Sequence, residues 1–353
     1  MHKYLFFVAQ NYSYAILRPL QQAIKERGDE VVWFLYGNQI NTDYLLPDEK
    51  RLFTVEEVIA YHPDASFVPG NMIPSFISGL KVSVFHGFNV GKLNGRGKND
   101  HFNIRGCFDL YCTQGPNTTI RFQQLAEKYG YFNVVETGWP ALDPLYSKQI
   151  THRQNTSLDT DNEKPTILMC STFSRNLTCA PHLYEEIKKL SQNDQWRWLV
   201  QFHPKMPDSI VSQYKALQNE NLTFIETDNV LPLLQQADVM LCDTSSVMLM
   251  FILQNKPVVT FKNISPGAHL IDFSQAEELE QHLNYALKRP PELMEEIQRF
   301  VEELHPYQDS QSSQRVLDAV EAELKKTNRT RKKKPLNLLR NFKMRKELNY
   351  WKF

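Results

Sequence analysis

Ala237-Asp238-Val239-Met240-Leu241-Cys242-Asp243-Thr244-Ser245-Ser246 is followed by the apolar run Val247 to Leu253 and then by Pro257-Val258-Val259-Thr260-Phe261. An apolar segment of strand length ends in four polar residues, and the spacing beyond them suits a buried helix reaching Asn255. A second strand-like run begins after Pro257. Strand, turn, helix and strand make the repeating unit of a parallel sheet, with the hydroxyls of Thr244, Ser245 and Ser246 at the strand-to-helix turn. The first amides of a helix lack intrahelical partners and carry the positive end of its dipole, so this turn can hold a phosphate. The same residues cap helices equally well, and alone they do not separate a phosphate site from a plain cap.

The alternation continues outward. Thr166 to Cys170, Trp196 to Phe202 and Leu222 to Glu226 read as strands, with helices over His182 to Leu190, Ile210 to Gln218 and Val230 to Gln236. Nearer the N-terminus, Tyr4 to Ala9, Val31 to Tyr36, Ala65 to Val68, Lys81 to Phe85 and Cys107 to Cys112 read as strands. Ala15 to Arg27, Glu56 to Tyr61 and Asn117 to Tyr129 read as helices between them. Ser147 to Lys164 is polar and holds no apolar periodicity, which marks a linker. The expected fold is α/β: two Rossmann-like doubly wound domains facing a central cleft, over residues 1–146 and 165–310, joined by the linker 147–164. Helices over Ala276 to Lys288, Pro291 to Leu304 and Ser313 to Lys325 complete it, with a helix at 311–326 returning to the first domain and a tail at 327–353. Ligands of such sheets gather beyond the carboxyl ends of the strands.

The 353 residues suffice for about two domains of ~150 residues, and a hydrophobic content of 42% can fill two cores. Forty basic residues balance forty acidic ones, but residues 325–353 hold twelve Lys or Arg against the single acid Glu347. The C-terminal end is therefore strongly basic and the body acidic. Cys107, Cys112, Cys170, Cys179 and Cys242 form no Cys-x-x-Cys pair and read as reduced, mostly buried thiols. Gln10-Asn11 interrupts the apolar start, which reads as a strand and not a signal peptide, and no stretch approaches the ~20 apolar residues of a spanning helix. A cytoplasmic chain is expected. The absence of a Gly-x-Gly-x-x-Gly or Walker loop disfavours the usual dinucleotide and ATP sites, and no His or carboxylate cluster suggests a metal. No cofactor is required on this reading, and the need for a divalent cation stays open.

Two histidines end predicted strands. His86 follows Val82 to Phe85 and precedes the glycine-containing stretch Gly87 to Lys92; His203 follows Leu199 to Phe202 and precedes Pro204-Lys205. A neutral imidazole near pH 7 can take the proton of an attacking hydroxyl, and a charged one can hold a phosphate. Either histidine could equally satisfy a loop carbonyl. The pair is more telling, because each stands at the end of a parallel strand in a different domain. Gly91 to Gly97, with Lys92, Arg96 and Lys98 in or beside it, reads either as a loop over an anionic substrate or as a solvated loop.

Taken together, residues Val82 to Arg315 resemble the CDP-glycerol glycerophosphotransferases of teichoic-acid and capsule synthesis, which are GT-B-like. His86-Gly87 is similar to that family's His-Gly-Thr-Pro, and Gly138-Trp139-Pro140-Ala141-Leu142-Asp143 to its Gly-(aromatic)-Pro-Arg-x-Asp. Thr172 and Arg175 lie where the family has Pro-Thr-(aromatic)-Arg, and His203-Pro204 resembles its His-Pro. Leu234 to Ser246 with Lys256-Pro257 resembles its Asp-Tyr-Ser-Ser and Lys-Pro block, and Tyr307-Gln308-Asp309-Ser310 with Ser313 and Arg315 its terminal segment. The pattern departs at Phe88-Asn89, Ala141, Ser171 and Met250, which implies the same reaction frame with an altered donor or acceptor.

The resemblance implies His86 as base for the acceptor hydroxyl that attacks the β-phosphorus of a CDP-linked alditol, with CMP leaving. His203, with Lys205 and Arg175, would offset the charge on the transferred group. Gly87, Asn89, Thr172, Arg175, Lys205, Asp243, Ser245, Ser246, Asp309 and Ser313 are the expected substrate-binding residues, the serines lying on the pyrophosphate. A GT-B glycosyltransferase and a catalytically silent anion-binding scaffold remain as rival readings. The acceptor would be a membrane-linked glycan or polyol phosphate. The basic tail, with Leu336, Leu338, Leu339, Phe342, Leu348, Tyr350, Trp351 and Phe353 among its cations, suits an anionic membrane face and peripheral attachment there. A disordered tail and a nucleic-acid arm are alternatives, the last disfavoured because nothing in the body resembles a base-reading module.

Overall fold

Residues Lys3–Val8 are buried at five consecutive positions, the mark of a strand covered on both faces, and they form β1 at the middle of a parallel sheet. The computed structural model of the protein describes residues 1–88, 99–147, 164–203, 205–227, 230–245, 247–326 and 331–352. The chain divides into two units: Met1–Ser147 with Glu303–Phe353, and Lys148–Glu302.

In the first unit β1 is followed by α1 (Tyr12–Glu26), β2 (Glu30–Leu35), β3 (Arg51–Leu52), α2 (Val55–Tyr61), β4 (Ala65–Val68), β5 (Leu80–Ser83), β6 (Leu110–Thr113), α3 (Pro116–Tyr129) and β7 (Asn133–Glu136). The strands pair in parallel in the order β3-β2-β1-β4-β5-β6-β7. The inward face of α1 presents Ile16, Leu17, Leu20 and Ile24, all buried. Thr54 and Glu57 form a reciprocal capping box that starts α2, and proline at the first position starts α3.

The second unit contains β8 (Thr166–Ser171), α4 (Ala180–Leu190), β9 (Arg197–Phe202), α5 (Asp208–Ala216), β10 (Leu222–Phe224), α6 (Leu231–Gln236), β11 (Val239–Cys242), α7 (Val247–Ile252), β12 (Val258–Phe261), β13 (Ile271–Phe273), α8 (Leu279–Leu287) and most of α9 (Pro291–Leu304). Its parallel order is β10-β9-β8-β11-β12-β13. The opening stretch is thus β11, α7 and β12, although α7 stops at Ile252 and Asn255 turns left-handed at φ 54°.

The chain rejoins the first unit at Glu303, where α10 (Ser312–Leu324) packs on α1. Arg27, at the C-terminal end of α1, donates to Gln314, Asp318 and Glu321 of α10 at 2.7–3.0 Å. Two sequence signatures meet in this region. Asp143, buried in a 3-10 turn, accepts the backbone N–H groups of Ser312 and Ser313 at 2.9 and 2.8 Å and so caps α10 from a distance. The Trp139 N–H donates to His305 Nε2 at 2.9 Å. Gly138 lies between them at φ 79°, where a Cβ would stand 2.5 Å from Ser312 Oγ, so the turn requires glycine.

Of the residues read as a tail, 331–352 are folded onto the first unit. Arg331 pairs with the buried Glu323, Lys334 with Asp109 at 2.7 Å, and the Asn337 side chain donates to the Arg105 carbonyl. A helix unforeseen from the sequence, α11 (Leu338–Glu347), inserts Met344 into the aromatic core around Phe7, Phe34 and Phe85. Leu338, Leu339 and Phe342 face outward, so α11 carries no simple buried stripe. The short strands β3, β7 and β13 also escaped the sequence reading: they have two to four residues, and β7 is a half-exposed edge.

Burial depresses His305 to a pKa of about 4 from an ordinary 6.5. The unfolded chain therefore binds the additional proton below pH 6.5, and this group's stabilising contribution is complete above that value and is lost as pH falls towards 4. The loss is roughly 3 kcal/mol. Urea unfolding midpoints should fall between pH 7 and pH 4.5, and in a His305→Gln variant, which cannot titrate there, the slope should be visibly shallower.

Candidate functional site

In the second sheet the connection from β8 runs to β9 on one side and that from β11 to β12 on the other, so the loops after β8 and β11 part at the reversal of strand order. Asp243 lies at that point, fully buried. One carboxylate oxygen accepts from Ser171 Oγ at 2.6 Å, Thr172 N at 3.0 Å and Cys179 N at 3.0 Å; the other is 3.1 Å from Thr172 N. Burial raises its pKa, and these donors counter the rise. Asp243 thus holds the loop from Thr172 to Cys179 against the end of β11 and has its partners inside the fold. Thr244 Oγ1 accepts from Ile264 N, while Ser245 is half-buried beside it. Ser246 lies outside the described residues.

The loop that Asp243 holds carries Phe173 and Arg175. Phe173 packs on the His203 ring at 4.5 Å between centroids, and the Lys205 ammonium lies 5.7 Å from the centroid of the same Phe173 ring. Arg175 is exposed and has no hydrogen bond or ion pair among the described residues. The Lys205 N–H donates to His203 Nδ1 at 3.1 Å, so in the neutral ring the proton belongs to Nε2. Desolvation first, then the Lys205 charge, lower the pKa of His203 and favour that neutral form. His203 therefore offers an N–H to a ligand, with Lys205 and Arg175 as cations at the same end of the sheet.

In the first unit His86 has the opposite arrangement. Its Nδ1 lies 3.0 Å from the Pro69 carbonyl, which only accepts, so Nδ1 carries the proton and Nε2 keeps its lone pair. Tyr12, at the start of α1, stacks on the ring at 5.4 Å. Phe85, immediately before, has φ 58°, a left-handed conformation that costs a side-chain-bearing residue on the order of 1–2 kcal/mol. It is held there by stacking on His101 at 5.3 Å and by an edge contact with Phe122 at 5.2 Å. That reversal turns His86 out of the strand line. Burial, with His86 adding to it, pushes His101 down to about 4 and keeps it neutral. The Gly87 carbonyl accepts from Gln114 Nε2 at 2.7 Å.

The remaining candidates are placed differently. Ser313 gives its backbone N–H to Asp143, and exposed Asp309 pairs with Arg315, so both belong to the turn that joins α10 to the first sheet. Asn89, Pro204 and the basic loop Gly91 to Gly97 lie outside the described residues. The sequence reading overlooked Tyr12 and the Pro69 carbonyl, which come to His86 from distant segments without a local signal. Phe173 was within reach of it, lying between Thr172 and Arg175.

No curated protein sequence matches the chain. Among solved structures, the wall teichoic acid polymerase TagF superposes with a TM-score of 0.63 at 15% identity, covering 91% of this chain and 89% of that one. The S. aureus MnaA-UDP co-structure gives 0.61 at 15%, covering 92% and 97%. A putative UDP-N-acetylglucosamine 2-epimerase from Listeria monocytogenes gives 0.64 at 13%, covering 93% and 98%. At these identities the likeness is one of fold, a GT-B type with two parallel-sheet α/β domains. Residues 108–322 match the family described as CDP-Glycerol:Poly(glycerophosphate) glycerophosphotransferase. That span holds Arg175, His203, Asp243 and Ser245 and begins after His86. With more than half of its length matched, the chain belongs to the CDP-glycerol:poly(glycerophosphate) glycerophosphotransferase family.

Proposed function

We propose that the protein transfers an alditol phosphate, glycerol phosphate foremost, from a CDP-linked donor to a hydroxyl of a membrane-linked glycan or polyol-phosphate acceptor. The acceptor oxygen attacks the β-phosphorus, its proton passes to His86 Nε2, the bond from that phosphorus to the bridging oxygen breaks, and CMP leaves with the electron pair. The observation that carries this reading is the opposite tautomers of the two histidines: His86 presents a lone pair and His203 an N–H. A base and a phosphate-oxygen donor are what such a displacement asks of imidazoles. Arg175, Lys205 and Ser245 supply charge and hydroxyl for the donor's phosphates, and Asp243 acts through the loop it holds. The family match and TagF, solved with CDPG, support the choice of donor.

Peripheral attachment to an anionic membrane belongs to the same proposal. Among the described residues no helix is long and apolar enough to cross a bilayer. Leu336, Leu338, Leu339 and Phe342 are 77%, 72%, 82% and 57% exposed, and Lys332, Lys333 and Lys346, close to them in sequence, have no ion pair among the described residues. Apolar side chains interspersed with such lysines suit the headgroup boundary, where each cation adds about 1 kcal/mol.

Replacing His86 with Ala should lower CMP release from CDP-glycerol in the presence of acceptor by about 10²–10⁴-fold while leaving CDP-glycerol binding within a few-fold. Undiminished turnover would remove His86 from the reaction, and release of a nucleoside diphosphate in place of CMP would mark a sugar transferase. Leu338→Asp with Leu339→Asp should weaken binding to vesicles containing anionic lipid by at least about tenfold with the melting temperature unchanged, since neither side chain is packed. Equal sedimentation of variant and parent with such vesicles would exclude that face as the membrane contact.

A further inference from the structure

The carboxyl ends of β1, β2 and β4 border a cavity of about 460 Å³. It lies where strand order in the first sheet reverses, between β1 and β4, the position at which doubly wound sheets receive ligands. Gln10 and Asn71 give it polar groups from the strand-end loops and Ser13 one from the first turn of α1, and α11 lines it with Arg340, Lys343 and Glu347. Arg340 commits only Nη1, to the Arg105 carbonyl at 3.3 Å and the Asn337 side chain at 3.2 Å. Its other guanidinium nitrogens, and the whole Lys343 ammonium, have no partner among the described residues. Glu347 forms no ion pair with either, so the wall keeps a net positive charge. Tyr12 lines the same cavity and stacks on His86 at 5.4 Å.

We propose that this cavity binds a phosphate ester of the acceptor, with Arg340 and Lys343 of the C-terminal helix as the anion-binding pair. The inference rests on the transfer reading above and deepens it, assigning acceptor recognition to a segment beyond the family match. A guanidinium fork and an ammonium with hydroxyl and amide groups opposite fit a tetrahedral oxyanion, whereas a neutral glycan would leave two unpaired cations beside it. Aromatic walls from Phe7 and Tyr36 suit the carbon chain of a polyol. The bound phosphate would hold the adjoining hydroxyl on the His86 side, through the wall that Tyr12 shares.

Glycerol 3-phosphate is the probe, titrated into the full-length protein with saturating CMP present to occupy the nucleotide site. The parent protein should bind it, Lys343→Gln should bind about tenfold more weakly, Arg340→Gln with Lys343→Gln more weakly still, and glycerol should not compete. Lys343→Gln breaks no contact in the fold, so its result stands even where the double variant unfolds. No binding by the parent, equal binding by parent and Lys343→Gln, or equal competition by glycerol would each overturn the proposal. Lys343-dependent binding in a protein that releases no CMP from CDP-glycerol would sustain the anion site and reject the transfer reading. In the active enzyme, Lys343→Gln should raise KM for a phosphodiester acceptor about tenfold and leave KM for CDP-glycerol unchanged.

Discussion

Each unit is organised by a buried carboxylate that faces no cation. Asp243 draws the loop after β8 onto the end of β11, and Asp143 draws the start of α10 onto the turn after β7; both do so by accepting N–H groups, with a Ser171 hydroxyl added at Asp243. A buried charge is costly unless such donors surround it, and here the donors are backbone groups that would otherwise lack partners. The arrangement fixes chain segments far apart in sequence. In the second unit it fixes the loop bearing Phe173 and Arg175, on which the orientation of His203 depends. Parallel strands covered on both faces leave little room for chemistry except at their ends, so the loops at those ends decide what the fold can do.

The two histidines acquire their properties from backbone, not from neighbouring charges alone. A carbonyl at Pro69 assigns the proton of His86 to Nδ1, and an amide at Lys205 assigns that of His203 to Nε2. Neither assignment needs a carboxylate partner. The left-handed Phe85 is the structural cost of directing His86 away from its strand, and a cluster of aromatic rings offsets it. A histidine so mounted is pre-oriented before any ligand arrives, as the proton-accepting role proposed for His86 requires.

Much of this was legible in the chain because the strands are buried on both faces. Tyr4–Val8 and Val239–Cys242 stand out as unbroken apolar runs, and the periodicity of Ile16, Leu17, Leu20 and Ile24 announces α1. Edge elements such as β7 and β13 bury too few residues to impose a pattern. The polar candidates were harder to read because one residue type serves several ends. Asp243 is polar and at a strand end whether it touches a ligand or holds a loop, and only its partners, Ser171, Thr172 and Cys179, tell which. Asp309 and Ser313 are similar: their partners Arg315 and Asp143 lie in the turn region of the first unit, a relation that requires the folded chain. Tyr12 beside His86 depends on α1 following β1 at the same sheet end as the loop after β5, a consequence of topology.

The C-terminal segment shows how folding redistributes a charge visible in composition. Twelve cations against one acid read as a basic amphipathic tail, yet Arg331, Lys334 and Lys352 find carboxylates at Glu323, Asp109 and Glu56, and Arg345 lies over Phe76 at 4.7 Å. What remains unpaired is sorted by the helix. Met344 fixes the rotation of α11 by entering the core; Arg340 and Lys343 then fall on the side of the sheet's ligand end, while Leu338, Leu339 and Phe342 are turned to solvent. Residues three and four apart share a helix face, so Arg340 and Lys343 cannot be separated from each other without moving Met344 as well. A single buried methionine thus sets which cations border the cavity and which apolar side chains are turned to solvent, and a substitution that rotates α11 would disturb both surfaces together.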